Sequence, residues 1–173
     1  MRKWRIPALL FSFLFLIAAT VAVAAQPEAA PAPPPKPLAV GDKIAKLSLN
    51  DLDGKTAEVE VGKGLVAIAF FNTSCSACKA EMALLNAMSK QNKNLKVVAV
   101  SVDAQGAKTT KPFIDASNYG KFAFYIDPEY KAPEKFGFSF SPALVVVKDG
   151  SITMKHPGFM NQDEEMLSKA LLK

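Results

Sequence analysis

Three apolar runs, at residues 65–71, 97–102 and 143–147, interrupted only by Ser101, set the tightest limit on how this chain can fold. A strand with one wet face alternates apolar and polar side chains, whereas a strand-length run without polar interruption suits a strand covered on both faces. Three such runs therefore call for a central sheet with a layer on each side. Between them the pattern predicts a helix over 76–90, a weaker one over 111–118 and a short one over 128–136. A short strand over 122–126 and an amphipathic helix over 163–172 complete the order. Upstream, 44–49 and 55–59 flank Asn50-Asp51-Leu52-Asp53-Gly54, whose Asp-Gly step marks a turn and predicts an N-terminal β-hairpin. Lys148-Asp149-Gly150-Ser151 turns the chain into a last strand over 152–155. The class expected is α/β, a central mixed sheet flanked by helices. At 173 residues the chain has room for one domain with a continuous core.

That domain begins near residue 38, because the chain before it has a different character. Residues 1–25 start basic, with Arg2, Lys3 and Arg5, continue apolar from Ala8 to Val23, and end in Ala22-Val23-Ala24-Ala25. This is the anatomy of an export signal, with cleavage after Ala24 or Ala25. A second reading stays open: residues 6–25 have about the length of a membrane span, which takes roughly 20 apolar residues, and could remain as an anchor. Under either reading the basic end stays inside and the rest is delivered to the far side, so a periplasmic or other extracytoplasmic location is expected. Residues 26–37 hold six of the 12 prolines and read as an extended linker, which leaves 38–173 as the folded domain.

Charge points away from nucleic acid. Arg2, Lys3 and Arg5 account for three of the 21 basic residues, which leaves 18 against 16 acidic ones, spread without a basic run. A nucleic-acid footprint needs a concentrated basic face.

The chain has two cysteines, Cys75 and Cys78, in Asn72-Thr73-Ser74-Cys75-Ser76-Ala77-Cys78-Lys79. Two residues between cysteines close too short a loop to constrain an unfolded chain much, so stability is a poor reason for the pair. Its position is more telling, since it follows an apolar strand and opens a helix. A thiol there meets free backbone N–H groups and the positive end of the helix dipole, which favour thiolate. Cys75 is the expected nucleophile and Cys78 the resolving thiol. Half of a metal site and a purely structural pair are the competing readings. Glu81 shares a helical face with Cys78, Leu84 and Leu85, where desolvation would raise its pKa and let it exchange protons with the thiols. The alternative for Glu81 is an ordinary solvent-exposed helix residue. Ser141-Pro142 opens the apolar strand 143–147, a place where a sheet tolerates proline.

These residues carry a resemblance. Cys75-x-x-Cys78 after a buried strand, Ser141-Pro142 before another, then Lys148-Asp149-Gly150 and Gly158 before a last helix, resemble thioredoxin-fold proteins. More narrowly the chain is similar, over about 38–173, to the TlpA/ResA group of exported, often membrane-tethered disulfide reductases. The resemblance implies a thioredoxin-like fold with a central insertion at 103–127. It implies a cis proline at 142 facing the dithiol, with Ser141 and Pro142 against substrate, and a proton-transfer role for Glu81. Ser74 stands where the group commonly has Trp, so the substrate surface beside Cys75 is expected to be less aromatic. No acid lies within 65–71, which leaves Glu81 as the better proton-transfer residue, and no histidine lies between the cysteines, which leans the reading toward a reductant. The partners implied are protein thiols and disulfides as substrates and a membrane thiol carrier as electron donor; maturation of c-type cytochromes is among the group's tasks. No cofactor and no metal is assigned.

Further residues attract weaker readings. His156 is the sole histidine and lies far from the dithiol in sequence. Met154 and Met160 read first as packing residues and second as copper ligands. Asp103, at the end of an apolar strand, reads first as a turn or helix-cap residue and second as a residue at a substrate cleft. Asn72-Thr73-Ser74 fits a glycosylation sequon but abuts a buried strand. The functional alternatives are a peroxiredoxin-like thiol peroxidase, which shares the general order of elements, and a non-enzymatic metal chaperone.

Overall fold

A computed structural model describes residues 35–172. The segment 1–25 read as a signal or anchor, and residues 26–34 of the linker, lie outside the described residues.

The hairpin comes first, as β1 (Lys46–Asn50) and β2 (Thr56–Glu60). Then follow β3 (Leu65–Phe71), α1 (Ser76–Gln91), β4 (Leu95–Ser101), α2 (Ala107–Asp115), β5 (Phe122–Ile126) and α3 (Lys131–Lys135). The chain ends with β6 (Ala143–Lys148), β7 (Ser151–Pro157), a 3-10 turn at Asn161–Asp163 and α4 (Glu164–Leu171). The strands form one mixed sheet in the order β2-β1-β5-β4-β3-β6-β7. The runs read as doubly covered strands occupy its centre: β3 lies parallel to β4 and antiparallel to β6.

Period-two alternation divides β3, an inner strand, between two cores. Val66, Ile68 and Phe70 face one side, with the hairpin residues Leu47 and Leu49 and with Phe136 and Phe138. Ala67, Ala69 and Phe71 face the other, under Cys78, Met82 and Leu85 of α1 and Leu167 and Leu171 of α4. Both sets are fully buried in β3, which is why no polar residue interrupts the run.

Element limits differ from expectation where side chains redirect the backbone. The hairpin strands begin later than 44 and 55, because Ile44 is engaged elsewhere: its N–H donates to the Gly150 carbonyl at 2.8 Å. The second helix was expected over 111–118 but runs over Ala107–Asp115, with Pro112 inside it. Gly106, at φ 52°, turns the chain there, and its carbonyl accepts from the N–H groups of Thr109 and Thr110. The third helix starts at Lys131 rather than 128, after a left-handed Tyr130, and Asp127 receives the Ala132 N–H at 2.7 Å. The last helix is a 3-10 turn followed by α4 rather than one helix over 163–172. Among the described residues no helix is long and apolar enough to cross a membrane.

Candidate active site

The junction between β3 and α1 is built from short-range bonds. The Asn72 side-chain oxygen accepts from the Ser74 N–H at 3.0 Å and the Ser74 hydroxyl at 2.6 Å, a local turn for which Asn is well suited. The Cys75 N–H donates to the Asn72 carbonyl at 3.2 Å. Cys75 is the N-cap of α1, with extended backbone angles, and its Sγ accepts the N–H of Cys78 at 3.1 Å. A sulfur thus takes the place of the usual capping oxygen, and no acidic residue in the first turn offsets the positive helix end.

Cys75 and Cys78 form a disulfide, with Cα atoms 5.2 Å apart. Their surroundings are unequal. Cys75 is half-buried between the exposed Ser74 and Ser76, whereas Cys78 is fully buried. Ser74, read as a substrate contact, therefore lies on the surface directly before the accessible sulfur.

Glu81 is on the buried face of α1 with Cys78, Met82 and Leu85, and is wholly enclosed. Neither carboxyl oxygen has a hydrogen-bond partner. Burial in this apolar setting, reinforced by the negative charge of Asp163, raises its pKa from 4.5 to about 8. The solvent-exposed alternative for Glu81 is thereby removed.

The Ser141–Pro142 bond is cis. Antiparallel pairing of β3 with β6 runs as far as Phe70 with Ala143, so Ser141–Pro142 leads into β6 beside the end of β3 from which the dithiol loop departs. Pro142 is held from the other side, where its carbonyl accepts the Gly158 N–H at 2.7 Å.

His156, remote in sequence, is on the α1 side of the sheet, paired across β6 and β7 with the buried Leu144. Its Nε2 lies 3.1 Å from a carboxylate oxygen of Asp163. The same Asp163 carboxylate accepts the Met160 N–H at 2.7 Å, and this bond, together with His156, holds its pKa below the ordinary value. Asp163 was legible only as a helix start; its influence on Glu81 was not. Met154 packs against the α1-side core, and Met160 is exposed. Among the described residues no three His, Cys, Asp or Glu side chains come together as a metal site.

The AhpC/TSA family model matches residues 40–155, two thirds of the chain and the whole dithiol region. The chain belongs to the AhpC/TSA family. The thiol-disulfide oxidoreductase ResA of Bacillus anthracis is 29% identical to it over 141 residues, 79% of each chain. The ResA of Halalkalibacterium halodurans is 28% identical over 127 residues, 70% of each chain. Among solved structures, one from Chlorobium tepidum described as a thiol:disulfide interchange protein DsbE is 25% identical, with a TM-score of 0.69 over 78% of this chain and 96% of its own. The thioredoxin-like fold is common to both, and with Cys75 and Cys78 at the strand-to-helix junction this AhpC/TSA family member is a thiol-disulfide oxidoreductase.

Proposed function

We propose that the protein reduces disulfides of partner proteins outside the cytoplasm, with Cys75 attacking, Cys78 resolving and Glu81 exchanging a proton with Cys78. One observation carries this reading: within a single disulfide, Cys75 is accessible at a helix N-terminus while Cys78 is enclosed on the same helical face as an unpaired carboxyl group. Starting from the dithiol, the Cys75 thiolate attacks a sulfur of the target disulfide, forming a mixed disulfide and expelling one target thiolate, which is protonated by solvent. Ionised Glu81 takes the proton of Cys78. Cys78 then attacks Cys75 Sγ, closes the intramolecular disulfide and expels the second target thiolate. Two electrons pass to the target, and Glu81 ends with the proton that its burial favours in the oxidised chain.

Ser141, Pro142 and Ser74 would border the bound target, and a membrane thiol carrier would return the disulfide to the dithiol. Residues 1–25 would act as export signal or anchor, 26–37 as a spacer and 38–173 as the redox domain. Purified protein should reduce insulin disulfides, Cys75→Ser should abolish that activity, and Cys78→Ser should accumulate a mixed disulfide detectable by mass. Peroxide consumption without insulin reduction would overturn the reading in favour of a thiol peroxidase. A dithiol potential near that of a strong oxidant, about −120 mV, would overturn the direction of electron flow. Recovery of the chain, with residues 1–25 intact, from the cytoplasmic fraction would overturn the location.

A further inference from the structure

Asp103 follows β4 and is 7% exposed, unusually enclosed for a carboxylate. It does not cap α2: the N-cap is Gly106, and no side chain bonds there. Its oxygens are instead taken up by the dithiol loop. One accepts the Thr73 N–H at 3.0 Å and the Ser101 hydroxyl at 2.7 Å, and the other accepts the Thr73 hydroxyl at 3.2 Å. Ser101 in turn accepts the hydroxyl of Thr110, on α2, at 2.7 Å. The support behind this chain of bonds is stiff, since β4 lies inside the sheet and the Val102 N–H extends its pairing to the Phe71 carbonyl.

Thr73 is well placed to receive such a hold. It lies between Asn72, whose side chain gathers Ser74 and whose carbonyl accepts the Cys75 N–H, and Cys75 itself. Cys75 Sγ depends on the Cys78 N–H at 3.1 Å, a bond whose strength falls with misalignment. We propose that Asp103 is a positioning residue of the dithiol, clamping Thr73 to the end of β4 and so fixing Cys75 Sγ against the backbone N–H groups that stabilise its thiolate. The clamp acts through geometry, because the charge of Asp103 by itself would disfavour a nearby thiolate. Geometry and charge therefore predict opposite effects when Asp103 is removed.

The inference rests on Cys75 being the attacking thiol, and the test separates the two. Iodoacetamide labelling of the reduced full chain is followed by mass across pH for the parent, Thr73→Val, Thr73→Ser and Asp103→Ala, with thermal unfolding recorded for each. Thr73→Val keeps the charge of Asp103 and removes one bond of the clamp; Thr73→Ser keeps both bonds. The expected result is a labelling midpoint of Cys75 raised by up to about one pH unit in Thr73→Val and Asp103→Ala, near tenfold less thiolate at neutral pH, with Thr73→Ser restored to the parent value. A lowered midpoint in Asp103→Ala with none in Thr73→Val would overturn the clamp in favour of a charge effect. Lower unfolding temperatures with unchanged midpoints would overturn it in favour of a purely structural role. If Asp103→Ala does not fold, the two Thr73 variants decide. Failure of Cys75 to label in the parent would instead overturn its assignment as the attacking thiol, and the clamp with it.

Discussion

A carboxyl group enclosed without a hydrogen-bond partner keeps its proton, and Glu81 is such a group. Its pKa of about 8 in the folded chain lies above the 4.5 of an ordinary glutamate, which reverses the usual behaviour of an acidic residue. Below pH 4.5 both folded and unfolded chains carry the proton. Between pH 4.5 and 8 only the folded chain does, so stability declines as pH rises through that window, by on the order of 5 kcal/mol in all. Urea unfolding of the oxidised protein at several pH values should show this decline, and Glu81→Gln should flatten it. Desolvation is the larger cause of the shift and Asp163 the second, so Asp163→Asn should lower the Glu81 pKa without restoring an ordinary value. Carboxyl carbon NMR of Glu81 would read the direction. The asparagine keeps an oxygen for the Met160 N–H, so the turn into α4 need not be lost.

The connections decide how the elements meet. Asp149 and Gly150, at φ 48° and 77°, turn β6 into β7 with both central residues left-handed, the conformation for which Asp-Gly is preferred. The same turn docks on the entry to the hairpin, because a Cβ at Gly150 would stand 3.2 Å from the Gly62 carbonyl oxygen and 3.5 Å from that of Ile44. Gly150→Ala should therefore cost about 1–3 kcal/mol in urea unfolding, while the folded fraction retains the dithiol chemistry of the parent. The Asp-Gly pair was legible as a turn. Its second task was not, because Gly62 and Ile44 reach it only once β1 and β2 have folded across the sheet. The same holds for α2, whose first turn is set by Gly106 and by Thr110 bonding to Ser101, contacts that a periodic pattern does not display.

At the scale of the whole molecule, one sheet separates two apolar layers, and the dithiol follows the end of β3, one of its inner strands. Phe70 fills the layer opposite α1, with ring centroids 5.8 Å from Phe136 and 6.3 Å from Phe138. Phe70→Ala should cost about 3–5 kcal/mol, measured by urea unfolding of the oxidised chain, by emptying a site that both α3 and the strand behind Pro142 rely on. Local chemistry along the chain was sufficient to determine the doubly covered strands, the hairpin, the Cys75–Cys78 pair at a helix start, and the shared face of Cys78 and Glu81, because periodicity and short-range bonding reach only a few residues. Tertiary structure alone decided that Asp103 grips Thr73 across 30 positions, that His156 and Asp163 lie on the α1 side of the sheet, and that β5 enters between β4 and β1. Those pairings depend on strand order and on which layer covers each face, and many sequences with the same local pattern could satisfy them differently. Glu81 joins the two levels: helical spacing put it beside Cys78, and only the packed fold removed its water and brought the charge of Asp163 to bear.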